Sequence, residues 1–186
     1  ARRPINDCFY TEVVYADDLN AYRTFPSNVD NALIKRNMNT CQHELHSWGA
    51  ANRVAFDAAK ESQHILSLTN PVGSGFKMLG VDFDEELTMS EAVSEIVVAA
   101  GWKLRTLLRT RRFYSDADLI VLYKAHLLSF LEYRTPAIYH ATRAILQRLD
   151  NVQSKFLSNV GVDEVIALAE FHLAPLAVRR DIAMLG

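Results

Sequence analysis

TEVVYADDLNAY, residues 11–22, places two short runs of β-branched and aromatic residues on either side of two adjacent aspartates. The composition of residues 11–15 is typical of a β-strand, and residues 19–22 can form its antiparallel partner. The stretch therefore predicts a β-hairpin with Asp17 and Asp18 at its tip.

The rest of the first 86 residues predicts one helix and further short strands. Apolar side chains at helical spacing over residues 30–48 indicate a helix, which Gly49 is placed to end. Alternating or β-branched runs predict strands near residues 54–56, 65–68 and 76–83. The predicted fold of residues 1–86 is α+β with antiparallel strands.

Residues 87–186 carry only helical patterns, so a boundary is predicted near Glu86 and Leu87. Apolar residues recur at three- and four-residue steps from Met89 to Leu108, behind a capping box at residues 88–91. Further helices are predicted from Ser115 to before Pro136, over residues 145–160 with Gly161 as the end, and after Asp163 and Pro175. His126 lies on an apolar helix face and is expected to be a hydrogen-bonded core residue.

The composition is that of an ordinary globular protein, with 49% hydrophobic and 23% charged residues. No run of eighteen apolar residues and no secretory signal is present, so we expect an intracellular protein, nuclear or cytoplasmic, without a membrane partner. Residues 1–100 carry 8 Lys/Arg against 14 Asp/Glu, and residues 101–186 carry 12 against 8, which gives net charges of −6 and +4. The basic part can follow nucleic-acid phosphates, although a solvated helical surface explains it equally well.

The adjacent aspartates at the hairpin tip repel each other, so this placement costs stability unless cations neutralise them. Two Mg²⁺ ions held by such carboxylates support phosphoryl transfer to a hydroxyl group. Because aspartate is also a common turn residue, a solvated acidic turn is the alternative.

The segment around these aspartates resembles the Tyr/Phe-x-Asp-Asp box of reverse transcriptases, and other segments follow in that family's order. NRVAFDAAKES at 52–62 is similar to the fourth palm motif, in which a small apolar strand leads to Lys, and FKMLGV at 76–81 is similar to the primer-grip hairpin. Residues 123–133, 149–157 and 175–180 look like the thumb of enzymes from non-LTR, LINE-type retrotransposons. The resemblance covers nearly the whole chain.

The resemblance implies a partial polymerase palm for the first part of the chain and an all-helical thumb for the second. Such an enzyme is an RNA-directed DNA polymerase, which extends a DNA primer on an RNA template from deoxynucleoside triphosphates with two Mg²⁺ ions. Asp17 would be a direct metal ligand and Asp18 its supporting neighbour. Tyr15 and Ala16 would line the floor near the primer end.

The resemblance also implies roles for residues outside the box. Lys60 would lie near the leaving pyrophosphate as a proton donor, the alternative being a solvated surface lysine. Met78, Leu79 and Gly80 would hold the primer backbone, although Met78 departs from the family's usual aromatic residue. Four arginines would contact the nucleic-acid backbone, the alternative being favourable cations at a helix C-terminus. They are Arg105, Arg109, Arg111 and Arg112.

The family also needs a metal-binding Asp on an earlier strand, a Gln-Gly-rich segment and fingers, none of which fits into the fourteen residues before the box. We therefore expect a fragment that lacks an N-terminal fingers and palm half and is inactive by itself. The alternative is a decayed or repurposed, non-catalytic product that acts as a nucleic-acid-binding or protein-interaction module.

Overall fold

The computed structural model describes residues 2–16 and 18–185. This part of the chain is α+β, 57% helical with two small antiparallel sheets. The predicted fold class is thus confirmed at that level. None of the helices in this part has the length and apolar character that crossing a lipid bilayer requires.

The contacts within the chain divide it into two compact units. The first consists of Ala1–Ile65 and Pro71–Gly73, and the second of Leu66–Asn70 and Ser74–Gly186. The boundary predicted near Glu86 falls within the second unit. The division into a palm part and a thumb part stays a prediction.

The first unit contains the hairpin predicted from the sequence, preceded by a short helix. Helix α1 spans Arg2–Asp7, β1 spans Thr11–Tyr15 and β2 spans Asp18–Tyr22. The two strands pair antiparallel over their full length, which confirms the predicted hairpin. A small apolar cluster forms the core of this unit: Ile5, Tyr10 and Cys41, with Cys8, Leu19, Phe25, Met38 and Leu45 packed around them.

Helix α2, Asn31–Asn52, runs past Gly49, so the prediction that Gly49 ends the helix is wrong. The helix ends instead at Arg53, which has a left-handed φ of 59°. A Cβ at Gly49 would lie 2.7 Å from the Val54 carbonyl oxygen and 2.8 Å from the Phe56 ring. Gly49 is therefore required by the close approach of the chain that follows the helix.

The strands predicted near residues 54–56 and 65–68 are not formed in the described chain, apart from one isolated β-bridge. A turn is present instead, in which the Lys60 N–H donates to the Asp57 carbonyl oxygen at 2.9 Å. Almost all side chains of residues 50–60 are exposed. A strand here would have no apolar layer to pack against, which removes most of what stabilises strands.

The second unit begins with a short antiparallel hairpin of β3, Phe76–Met78, and β4, Val81–Phe83, inside the region predicted to be extended. Leu79 and Gly80 connect the strands with φ of 48° and 75°. Two successive positive φ angles are the requirement of a type I′ turn. The two phenylalanine rings at the open end stack with centroids 5.3 Å apart.

The rest of the second unit is helical, as predicted. The helices are α3 Ser90–Arg109, α4 Asp116–Tyr123, α5 Ser129–Glu132, α6 Thr135–Ile138, α7 Arg143–Val160, α8 Glu164–Phe171 and α9 Leu176–Ala183. A 3₁₀ turn at Arg111–Phe113 follows α3, and a π-helical segment at Lys124–Leu128 joins α4 to α5. His126 in this segment is exposed, so its predicted core position is wrong.

The start of α3 differs from the predicted capping box, because the residue at the cap position is Met89, whose side chain makes no cap bond. The Asp84 carboxylate instead accepts hydrogen bonds from the N–H groups of Thr88 at 2.7 Å and Met89 at 2.8 Å. Burial by itself would raise the pKa of Asp84, but the backbone hydrogen bonds outweigh it and lower that pKa. The chain before α3 is therefore tied to its first turn by Asp84.

The core of the second unit lies between α3 and α7, with α4, the π segment, α8 and α9 packed around them. The rings of Tyr123 and Phe156 stack at its centre, 4.2 Å apart. An ion pair joins α9 to α7. The Arg180 guanidinium donates to both carboxylate oxygens of Asp150, at 2.6 and 3.0 Å.

Candidate functional site

The tip of the β1–β2 hairpin holds the predicted metal ligands. Asp18 begins β2 opposite Tyr15, and its side chain is exposed. Ala16 has a φ of 53°, a left-handed conformation that costs a residue with a Cβ about 1–2 kcal/mol. Asp17 lies outside the described residues. The structure thus places one of the two predicted carboxylates beside a strained backbone position.

One face of this hairpin is open to solvent along its whole length. Residues opposite each other in an antiparallel pair share a face, and the exposed face consists of Thr11, Val13, Tyr15, Asp18, Asn20 and Tyr22. We call this set the open face. Val13, Tyr15 and Tyr22 are 48%, 63% and 56% exposed. Apolar groups collected in this way are typical of a surface that binds something.

The described residues do not form a metal site by themselves. Within residues 2–16 and 18–185, no three His, Cys, Asp or Glu side chains are arranged to hold a metal ion. The Asp18 carboxylate forms no hydrogen bond or ion pair within this part of the chain. A site for two Mg²⁺ ions at the hairpin would need Asp17 and further oxygen ligands from outside the described residues.

Lys60, the predicted proton donor, lies on the turn after α2. Its side chain is 85% exposed, and its ammonium group is 3.7 Å from the Asp57 carboxylate. No hydrogen bond or ion pair joins it to Asp18 among the residues that the structure describes. This geometry matches a solvated surface lysine, and the proton-donor role stays a prediction.

The three residues predicted to grip the primer lie together at the tip of the β3–β4 hairpin. Met78 is partly buried opposite Val81, whereas Leu79 and Gly80 form the exposed turn. The Arg134 guanidinium donates to the Gly80 carbonyl oxygen at 3.4 Å, which fixes the turn to the helical part of the same unit. Their contact with a primer stays a prediction.

All four arginines predicted to contact the nucleic-acid backbone are exposed, at and just after the end of α3. Arg105 and Arg109 lie on the side of α3 opposite the buried Ala100, as 3.6 residues per turn requires. Arg111 donates to the Asn159 carbonyl oxygen at 3.2 Å, near the end of α7. The structure therefore gathers these arginines at one end of α3, and only Arg111 is held by a hydrogen bond to the main chain.

Two aromatic residues accompany these arginines, and the sequence reasoning missed both. The Arg105 guanidinium carbon is 4.6 Å from the centroid of the Trp102 ring, and that of Arg112 is 4.6 Å from the Phe113 ring. The helical spacing could have identified Trp102. It falls outside the three- and four-residue series of buried positions in α3 and should therefore face solvent.

A polar cluster on α2 has a structural role. Glu61 accepts hydrogen bonds from Gln42 and from His46 Nε2, the latter at 2.8 Å, and Gln63 donates to Gln42 at 2.9 Å. Burial alone would raise the pKa of Glu61, but the bonds from Gln42 and His46 lower it overall. The cluster ties the loop after α2 to the helix.

The described part of the chain thus offers three candidate sites: the hairpin tip with its open face, the Met78–Gly80 turn, and the arginine and aromatic residues of α3. The first belongs to one unit and the other two belong to the other. No family model matches the chain, and no curated protein or solved structure matches it significantly.

Proposed function

We propose that this chain is part of an RNA-directed DNA polymerase similar to the reverse transcriptases of non-LTR, LINE-type retrotransposons. The observation that carries the proposal is the β1–β2 hairpin, which presents Tyr15, Ala16 and Asp18 at its tip. Ala16 is held at the positive φ that a tight hairpin turn requires, so the turn fixes where Tyr15 and Asp18 lie. A solvated acidic turn would account for Asp18 but not for the open face beside it.

In the proposed enzyme, Asp17 and Asp18 hold Mg²⁺ together with ligands from outside the described residues. The Mg²⁺ that these carboxylates would hold would supply the positive charge that favours ionisation of the primer 3′-hydroxyl and departure of the pyrophosphate. The hydroxyl group loses its proton to water, its oxygen forms a bond to the α-phosphorus of the nucleotide, and the bond from that phosphorus to the pyrophosphate breaks. Tyr15 and Ala16 form the floor that positions the primer end for this attack.

The open face supports the proposal in a second way. A two-stranded hairpin is marginally stable in water unless other elements cover it. On this hairpin, Leu19 packs against the core of the first unit, whereas Val13, Val14, Tyr15 and Tyr22 remain exposed, Val14 on the same face as Leu19. We infer that other elements of the proposed polymerase, such as its fingers, cover these side chains.

The remaining assignments follow from the same proposal. Lys60 would donate a proton to the pyrophosphate, and Met78, Leu79 and Gly80 would hold the primer backbone. The arginines near the end of α3 would contact the RNA template and DNA primer from the thumb side.

A non-catalytic module is the second candidate function, and the exposed Trp102 beside Arg105 favours it, because α3 can then offer a binding surface without Asp18. A decayed or repurposed product of this kind would bind nucleic acid or protein through α3 without using Asp18. The two candidates therefore differ in whether Asp18 matters.

The test is primer extension on an RNA template, with the 186-residue chain and with the longest reading frame that contains it. We expect the chain alone to be inactive and the longer product to extend the primer. Asp18→Asn should lower that activity at least about 100-fold, equivalent to ~2.7 kcal/mol of barrier. Asp30→Asn is the matched control, because Asp30 is exposed, makes no side-chain cap bond and precedes α2 where Asn serves equally well.

Extension by the 186-residue chain itself would overturn the expectation that it is an inactive fragment. A folded longer product that is inactive, or one whose activity survives Asp18→Asn, would favour the non-catalytic module.

A further inference from the structure

Two large aromatic side chains of the second unit are exposed beside arginines. Trp102 is 61% exposed and Phe113 is 68% exposed. Each carries a guanidinium group 4.6 Å from its ring centroid, supplied by Arg105 and Arg112 respectively. These contacts are within the range of cation–π attraction, and they leave most of each aromatic side chain accessible to a ligand.

The segment that carries these two rings is basic. Residues 96–115 contain five basic residues and no acidic residue: Lys103, Arg105, Arg109, Arg111 and Arg112. Within the part of the chain that the structure describes, none of the five forms an ion pair. These five positive charges are therefore unpaired among the described residues, with Asp116 and Asp118 following the segment, and together they favour a ligand with repeated negative charges.

The geometry of α3 places these groups along one line. Trp102, Arg105 and Arg109 follow each other at steps of three and four residues on the side opposite the core, so they form one stripe along the helix. The stripe is about 10 Å long from Trp102 to Arg109, at 1.5 Å of rise per residue. Arg112 and Phe113 follow in the 3₁₀ turn just after the helix.

We infer that Trp102, Arg105, Arg109, Arg112 and Phe113, here called the aromatic–arginine surface, bind single-stranded nucleic acid. Unpaired bases stack on the two rings, and the arginines contact the phosphates between them. Alternating cations and exposed aromatic rings are the combination that holds single strands, since every base has a face that can stack. A duplex hides those faces and would use the arginines alone.

This inference rests on the proposed function for the expectation that the ligand is a nucleic acid. It adds that the strand bound at this surface is unpaired. Backbone contacts with a template–primer duplex need only the four arginines. An unpaired strand, such as template that has not yet been copied or a displaced strand, also needs Trp102 and Phe113.

The experiment uses the purified full chain and its own fluorescence. Trp48 and Trp102 are the two tryptophans of the chain, so in a Trp48→Phe background all tryptophan emission comes from Trp102. We would titrate this protein with a single-stranded RNA of about 16 nucleotides, with a duplex of the same sequence, with heparin and with polyaspartate. Anisotropy of the labelled RNA would give the dissociation constant for each variant.

The single strand should quench Trp102 emission and bind more tightly than the duplex, and heparin should bind without comparable quenching. Trp102→Leu and Phe113→Leu should each weaken single-strand binding about tenfold without changing its salt dependence. Trp102→Phe should restore most of the affinity. Arg105→Gln should instead reduce the salt dependence, because it removes a phosphate contact.

Equal quenching by heparin, or duplex binding that is tighter and unaffected by Trp102→Leu, would overturn the inference while leaving the duplex contacts of the proposed enzyme intact. Binding of polyaspartate with the same quenching, or no binding of the single strand, would also overturn it. Primer extension with Asp18→Asn remains the separate test of the proposed function, so the two failures are distinguishable.

Discussion

Breaking the ion pair between α7 and α9 should strongly destabilise the helical unit. Arg180 donates to both oxygens of Asp150, and their side chains are 7% and 18% exposed. Asp150→Asn keeps the shape but removes the charge, which leaves a buried guanidinium uncompensated. Breaking such a pair costs about 3–5 kcal/mol. Because Asp150 retains some contact with water, we expect the lower end, about 3 kcal/mol.

Urea unfolding followed by Trp102 emission in the Trp48→Phe background measures this loss in the unit that contains both residues. With a slope of about 2 kcal/mol per M urea, the midpoint should fall by roughly 1.5 M. Asp181→Asn is the matched control on α9, because Asp181 is exposed and accepts one hydrogen bond from Tyr139. The stability lost by Asp181→Asn should stay below about 1 kcal/mol. A loss from Asp150→Asn no larger than that of the control would refute the reasoning that burial sets the cost.

Three further substitutions test other parts of the structure. Gly49→Ala should destabilise the first unit by about 2 kcal/mol in thermal unfolding, because its methyl group would meet the Val54 carbonyl oxygen; a gain, as alanine usually gives in a helix, would contradict this packing. The pKa of Asp84 is lowered from 3.8. The ionised carboxylate therefore adds to the free energy of unfolding above pH 3.8, and this contribution is lost as the pH falls through the lowered pKa. Asp84→Ala should therefore cost about 1 kcal/mol at neutral pH and flatten the acid dependence of the unfolding midpoint; an unchanged acid limb would count against it. Burial raises the pKa of Tyr123 above 10.0. The neutral phenol therefore adds to the free energy of unfolding below pH 10.0, and this contribution is lost as the pH rises through the raised pKa. Tyr123→Phe should change neutral stability by less than about 1 kcal/mol, because its hydroxyl hydrogen bond is long, and should flatten the alkaline limb of the same measurement.

Elements whose local pattern agrees with their packing could be predicted from the sequence. The apolar series of α3 coincides with its buried positions, and Gly161 ends α7 with a left-handed φ of 81°. The β1–β2 hairpin follows from its β-branched residues. In each case, local preference and tertiary contact favour the same structure.

The errors occur where a residue outside the helix decides the outcome. Gly49 is typical of a helix end, but here its missing side chain leaves room for the residues that follow α2. Thr88 has the right spacing for a capping box, but its own N–H and hydroxyl groups donate to Asp84 instead. Neither competition is visible in the periodicity of a short window.

The candidate sites divide in the same way. The acidic hairpin tip is a local feature, so its position was predictable, whereas the exposure of Tyr15 depends on what the hairpin packs against. Trp102 and Phe113 counted only as apolar residues in a sequence pattern. Their significance depends on the guanidinium groups beside them, which requires coordinates.

The π-helical segment Lys124–Leu128 has a consequence for how this chain tolerates changes in length. Its bond from the Ser129 N–H to the Lys124 carbonyl spans five residues, so the segment is equivalent to one residue inserted into an α-helix. Deleting one residue there would leave an uninterrupted helix and rotate Glu132 by about 100° relative to α4, away from the Arg179 that it pairs with. A change of one residue at this point would therefore preserve the helix while altering which partner its second half meets.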